Sequence, residues 1–327
     1  MIKWTSIWLF AAPLLAGGGA ARLYAVEDHS APSSRPIELI RDPHFARGFQ
    51  LYDPAPGKKT VVASLTWDGP SAATGDPIWG MAQWSSKHSL AGAKAERLAS
   101  GTVRFANVAK TVIVGPPGSD DADLVLGMDS RQEWGDHARQ KNEKWPHLLV
   151  EQRLEGCPPL TQLAALGFHV EARLRHAEQF PPPGYDRQLH AAHFLIHFTV
   201  QNLNKASKGF GDFLWLGVPV YDDRDRVPRK HVAGDAASGK LIYCLAGDAF
   251  TSDSLQDGRW VTLERDMLPL ALAGLREARN RGFLKGSQDP SDYRLGSMNM
   301  GWEVTGINKI ELQVRNLSLR AIKTDGE

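Results

Sequence analysis

Ala192-His193-Phe194-Leu195-Ile196-His197-Phe198-Thr199-Val200-Gln201-Asn202-Leu203 decides the fold. Phe194, Ile196, Phe198 and Val200 occupy alternate positions. His193, His197, Thr199 and Gln201 lie between them, with Leu195. A period of two is that of a strand with one face in a core. The same alternation recurs on both sides. Phe168–Arg175 (FHVEARLR) opposes Phe168, Val170, Ala172 and Leu174 to His169, Glu171, Arg173 and Arg175. His147–Leu154 (HLLVEQRL) opposes Leu148, Val150 and Gln152 to Leu149, Glu151 and Arg153, and Phe213–Tyr221 (FLWLGVPVY) follows.

Further out, strand-like runs occur at Thr60–Thr66, Ile78–Trp84, Gly101–Asn107, Lys110–Val114, Leu124–Met128, Leu241–Leu245, Trp260–Leu263 and Lys309–Ile322. About a dozen strands separated by Gly and Pro turns, with no repeat of fixed length, predict an all-β antiparallel two-sheet sandwich of jelly-roll type. One helix is expected near residues 267–281. Asp266 stands at its cap, Pro269 in its first turn, and Leu268, Leu272 and Leu275 on one face with Ala271 and Ala278 beside them; Gly282 ends it. Pro181-Pro182-Pro183-Gly184 reads as a turn, because strands of one character lie on both sides. The domain is therefore expected to run from 38 to 327 as one unit. A split near residue 160 is the alternative, with no linker to support it.

Residues 1–25 read as a signal peptide: Lys3, a short apolar run from Ile7 to Ala16, then small residues ending at Ala20 or Ala25. Residues 26–37 read as a polar N-terminal arm. No later stretch is long and apolar enough for a transmembrane helix, so the expectation is a secreted or periplasmic protein without a membrane span. The 327 residues carry 38 Lys+Arg against 37 Asp+Glu. That balance argues against a nucleic-acid partner. The two cysteines, Cys157 and Cys244, could pair in an oxidising compartment or remain two buried thiols.

The polar faces suggest a site. Glu151, Arg153, Glu171, Arg173, His193, His197 and Gln201 leave the core on alternate positions. Trp79 and Gln83, Trp215 and Tyr221, and Trp302 beside Glu303 stand in neighbouring segments. Aromatic planes stack on pyranose rings, and amides, imidazoles and guanidinium groups meet hydroxyls and uronate carboxylates. An ordinary solvated face cross-linked by ion pairs is the competing reading. A hydrolase would need two of Glu151, Glu171 and Glu303 within roughly 5–9.5 Å. A lyase would need a base, Tyr221 or His197, near an Arg or Gln that neutralises a uronate. Substrate contacts would then fall to Trp79, Gln83, Arg153, Arg173, His193, Gln201, Trp215 and Trp302.

No phosphate loop, nucleophile elbow or H-E-x-x-H occurs. His193 and His197 would lie about 13 Å apart on a strand, which argues against a shared zinc ion. Asp120, Asp121 and Asp123, and Asp222, Asp223 and Asp225, could hold a structural calcium, with plain polar turns as the alternative. No other cofactor is expected.

Several stretches carry a resemblance. They are Pro77–Trp84 (PIWGMAQW), Trp145–Gln152 (WPHLLVEQ), Phe198–Asn202 (FTVQN), Leu214–Asp222 (LWLGVPVYD) and Met298–Val304 (MNMGWEV). Together they resemble an uncharacterised family of secreted proteins of polysaccharide-degrading bacteria, a likeness that implies a context and not a reaction. More distantly, the strand pattern is similar to concanavalin A-like jelly-roll carbohydrate-active proteins. Their alginate-lyase-type members work with Arg, Gln, His and Tyr on a concave sheet. The resemblance implies a polysaccharide lyase or glycoside hydrolase acting on a polysaccharide or oligosaccharide. A non-catalytic carbohydrate-binding protein and a structural envelope protein are the other readings.

Overall fold

The computed structural model describes residues 35–69, 72–98, 100–135 and 137–324. The expected signal peptide and nearly all of the N-terminal arm lie outside the described residues. In chain order the strands and helices are β1 (Ile37–Glu38), β2 (Phe49–Tyr52), β3 (Val61–Leu65), β4 (Trp79–Ala82), β5 (Glu96–Arg97), β6 (Val103–Ala106), β7 (Lys110–Val114), β8 (Leu124–Asp129), α1 (Arg131–Trp134) and β9 (His147–Arg153). They continue as β10 (Leu163–Gln179), β11 (Ala192–Asn202), β12 (Phe213–Asp222), β13 (His231–Gly234), β14 (Leu241–Cys244), β15 (Val261–Asp266), α2 (Leu268–Asn280), β16 (Tyr293–Val304) and β17 (Asn308–Lys323).

The strands form two sheets. One runs β15-β10-β17-β8-β7-β6-β5, with β1 on β17; the other runs β13-β14-β12-β11-β16-β9-β4-β2-β3. Pairing is antiparallel except for β2 with β4 and β12 with β14, which are parallel. The fold is the expected all-β sandwich. Ile37, placed in the arm by sequence, instead pairs with Ala321 at the end of β17.

The alternating apolar residues of both sheets meet in one core. Phe194, Ile196, Phe198 and Val200 of β11 and Phe168, Val170 and Ala172 of β10 are buried there, and the Phe168 and Phe198 rings meet edge to face. Helix α2 starts after Asp266, whose Oδ1 accepts from the Leu268 and Leu166 amides at 3.0 and 2.9 Å. Leu268, Leu270, Ala271, Leu275 and Ala278 are buried, whereas Leu272 is half-buried. Cys157 and Cys244 are separate, buried, free thiols.

The main addition to the sequence reading is β16, which sits between β11 and β9. Its core face is Tyr293, Leu295, Met298, Met300 and Trp302. Trp302 is wholly buried, edge to face with Phe194 and Tyr221, and its Nε1 donates to the Leu126 carbonyl of the opposite sheet at 2.8 Å. Trp79 is equally buried against Phe45, with Nε1 donating to the Asp42 carbonyl at 2.8 Å. Both indoles were expected on a ligand surface. They are core residues because each sits on the inward parity of its strand and finds a buried carbonyl for its N–H. Trp302→Ala is expected to cost about 3–5 kcal/mol in denaturant unfolding, since it leaves a cavity and an unpaired carbonyl.

Candidate functional site

The open face of the β13–β3 sheet is organised in rows across the strands. Register places His147 of β9 opposite Glu303 of β16, Glu303 opposite His193 of β11, and His193 opposite Asp222 of β12. The next row is apolar: Ala82, Leu149, Gly301, Leu195 and Pro219. The row beyond is Glu151, Asn299, His197, Gly217 and Cys244. Successive rows lie about 7 Å apart, two residues along each strand. Gly301 leaves the middle row bare. Its φ is 148°, and a Cβ there would run into the Leu148 carbonyl oxygen.

Over β16, β11, β12 and β14 the rows form the floor of a cleft of about 660 Å³. His193, Leu195, His197, Pro219 and Glu303 line it from below, and Arg187, Arg224, Arg229, Lys230 and His231 from the side. That volume is typical of small-molecule sites. Arg224 clamps Asp222 through Nε at 2.8 Å and NH2 at 2.7 Å, and His193 Nε2 lies 3.3 Å from the same carboxylate. Arg229 pairs with Asp225 at 2.7 Å. Among the described residues, neither Arg187 nor Lys230 has a carboxylate within ion-pair reach, so the cleft keeps a surplus of fixed positive charge.

The ionisable groups have distinct states. Burial alone would raise the Glu303 carboxyl, but His147, His197, His193 and the Trp145 N–H outweigh it and hold it below its ordinary value. His147 Nε2 is 3.7 Å from Glu303, and Trp145, stacked on His147, points Nε1 at the carboxylate from 3.4 Å. Burial also works against the charge on Asp222, yet the Arg224 and His193 contacts hold its carboxyl far below the usual range. Burial lowers His197, which stays neutral near pH 7. The Cys244 thiol is pushed up to about 12 by burial, so it is no nucleophile.

The expected site residues therefore separate. His193, His197 and Glu303 share the cleft, and Trp215 stands at its margin with its ring edge to face with His197. Gln201 and Arg153 lie on the same sheet face further along, Gln201 donating to the Gly211 carbonyl at 3.2 Å. Glu151 is also on this face, ion-paired with Lys59 and beside Tyr52. Its place opposite Asn299 sets it about 13 Å along the strands from Glu303, beyond the reach of a carboxyl pair.

Glu171 and Arg173 do not join them. They lie on β10, on the outer surface of the other sheet. There Glu171 is held by Arg315 and Asn316, and Arg173 lies over Trp260 and bonds Gln313. Gln83 is buried, spending its amide on Ser89, Leu90 and the Tyr52 carbonyl. Tyr221 borders the cleft, but its ring packs in the core against Trp302, and burial raises its hydroxyl well above the ordinary value, which removes it as a base.

The places of Asp222, Arg224, Asn299, His147, Arg187 and Lys230 on this face were not foreseen. Extending the alternation of His147–Leu154 back by two residues from Leu149 reaches His147. The run Asp222-Asp223-Arg224-Asp225 offered an arginine beside the acids, whose two readings were a calcium site and a plain polar turn. Asp222 and Asp225 are engaged by arginines, and Asp123 by His44 and the Asn316 amide. Among the described residues no group of three or more His, Cys, Asp or Glu is placed to hold a metal ion. No helix among them is long and apolar enough to cross a membrane.

No protein-family model matches the chain, and no curated protein matches it. Solved structures do. The endoglucanase cel12A from Rhodothermus marinus aligns over 71% of this chain and 96% of its own, at 10% identity and a TM-score of 0.38. A family 12 xyloglucanase from Bacillus licheniformis aligns over 70% and 97%, at 11% identity and 0.37. The xyloglucanase domain of NopAA from Sinorhizobium fredii aligns over 70% and 96%, at 10% identity and 0.34.

Asp222→Asn tests the clamp. The native pKa is depressed, so the ion pair stabilises the fold fully above the ordinary value of 3.8 and loses that contribution as pH falls through the native value. Thermal melts should therefore show the variant less stable at neutral pH, with the gap narrowing below pH 3.8.

Proposed function

We propose that the chain is an exported carbohydrate-active protein whose cleft takes an acidic saccharide, and that its chemistry is that of a polysaccharide lyase. The observation that carries the reading is the combination of surplus cations with a neutral His197 over a partly apolar floor. Leu195 and Pro219 suit the flat face of a sugar ring, while Arg187 and Lys230 suit its carboxylate.

The protonation states favour elimination over hydrolysis. Glycoside hydrolysis needs one carboxyl kept protonated as the acid. Glu303 and Asp222, two strands and about 10 Å apart, are both held ionised. Elimination needs a group that is deprotonated and free to take a proton, and the neutral imidazole of His197 meets that need. Its imidazole takes the proton beside the uronate carboxyl, and that electron pair forms the carbon–carbon double bond. The glycosidic C–O bond breaks, the leaving oxygen takes a proton from water, and the hydroxide so formed takes the imidazolium proton, which restores neutral His197.

The test is a panel of uronate-containing and neutral polysaccharides, read by affinity and by the absorbance of the unsaturated product. Uronate polymers are expected to bind and to gain that absorbance. His197→Ala should lower kcat by about 10²–10⁴-fold while affinity stays close to wild type. Because burial depresses His197, the acidic limb of the rate profile should lie below pH 6.5. Hydrolysis of a neutral β-glucan, with uronates neither bound nor cleaved, would overturn the proposal.

A further inference from the structure

We infer that the cleft continues along β12 into a second subsite for the distal part of an extended acidic polysaccharide strand. This rests on the reading of the first cleft given above. The open face of β12 runs from Pro219 through Gly217 and Trp215 to Phe213. Trp215 meets His197 edge to face at 5.9 Å, and Phe213 meets Trp215 in the same way at 5.0 Å. Beyond Phe213 lies a second cavity of about 350 Å³, lined by Lys208, Phe210, Lys240, Phe283 and Lys285 among others. Aromatic rings thus lead from one cavity to the other.

The second cavity has the chemistry of the first. Phe210 is 51% exposed, a large ring left facing solvent at its rim. Lys240 sits over the Phe213 ring at 5.4 Å and is paired with Asp212. Among the described residues, Lys208 and Lys285 have no carboxylate within ion-pair reach. Exposed rings with unneutralised ammonium groups suit stacked sugars bearing carboxylate or sulfate.

The cavity is also a built feature. Its two loops touch through glycines: a Cβ on Gly286 would fall 2.5 Å from Gly209 Cα, so only bare backbone permits the approach. From Pro219 to Phe213 is six residues, about 20 Å of extended strand. A ligand that reaches both cavities is therefore a polymer and not a small sugar.

The test is calorimetry of the full chain with digalacturonate and with a long oligogalacturonate. Phe210→Ala and Lys285→Ala, both at solvent-exposed positions, are compared with Arg187→Ala in the first cleft. The two distal variants should weaken the long ligand about tenfold and leave digalacturonate unchanged. Arg187→Ala should weaken both. If the distal variants bind the long ligand as tightly as wild type while Arg187→Ala does not, the second subsite is refuted and the first-cleft reading stands. If wild type binds neither ligand, that reading falls and takes the subsite with it. Tighter binding of an oligodeoxythymidine than of the long saccharide would overturn the assignment of the ligand class.

Discussion

The hydrogen bond from the Trp302 indole to the Leu126 carbonyl ties the two sheets together at the strand that carries the site. A strand has only two faces, so fixing one side chain inward fixes its neighbours outward. With Trp302 locked between Phe194, Tyr221 and the opposite sheet, Glu303 must stand on the open face. A slip of one residue would bury Glu303 and expose the indole. The carboxylate's position between the His147 and His193 imidazoles is thus a consequence of core packing.

What that carboxylate can do is then decided by competition between burial and charge. Burial favours the neutral acid, but the charge that the neighbouring imidazoles carry in the acidic range where a carboxyl titrates, together with the Trp145 N–H, wins and keeps Glu303 ionised. Asp222 resolves the same contest in the same direction through Arg224. His197 resolves it the other way, because burial is the largest influence on it and leaves it uncharged. The cleft therefore offers fixed anions, fixed cations and, in His197, a neutral base. This division of states weighs more than the identity of any single side chain, since one pair of carboxylates could serve as acid and nucleophile in a different field.

The strands with unbroken alternation were legible in the sequence, and so was the parity of His193, His197, Glu151 and Trp215. Which sheet each strand joins was not, because alternation sets a face and not a partner. Glu171 and His197 have the same local pattern yet lie on opposite outer surfaces of the sandwich. Strand β16 was missed for a different reason. Its outward residues Gly296, Ser297, Asn299 and Gly301 are poor strand formers, and its inward spacing is three rather than two between Leu295 and Met298. Only its second half stood out, Met298–Val304 through the resemblance it carries and Gly301–Val304 through Trp302 and Glu303.

That break in spacing is a bulge, and with a second one it builds the site. On β16 the pairing jumps between Phe198↔Met298 and Val200↔Leu295, so one extra residue switches the parity of everything that follows. Without it, Ser297, Asn299, Gly301 and Glu303 would continue the inward series of Tyr293 and Leu295. On β12 the pairing jumps between Leu195↔Pro219 and Phe194↔Tyr221, leaving Val220 unopposed. That turns Tyr221 into the core and Asp222 out beside His193, the reverse of what strict alternation from Trp215 implies. Bulges bend strands and re-aim side chains, and they occur often beside functional sites. Here two of them, on the strands flanking β11, bring Glu303 and Asp222 to either side of His193. The row is assembled by local departures from the period that defines the rest of the fold.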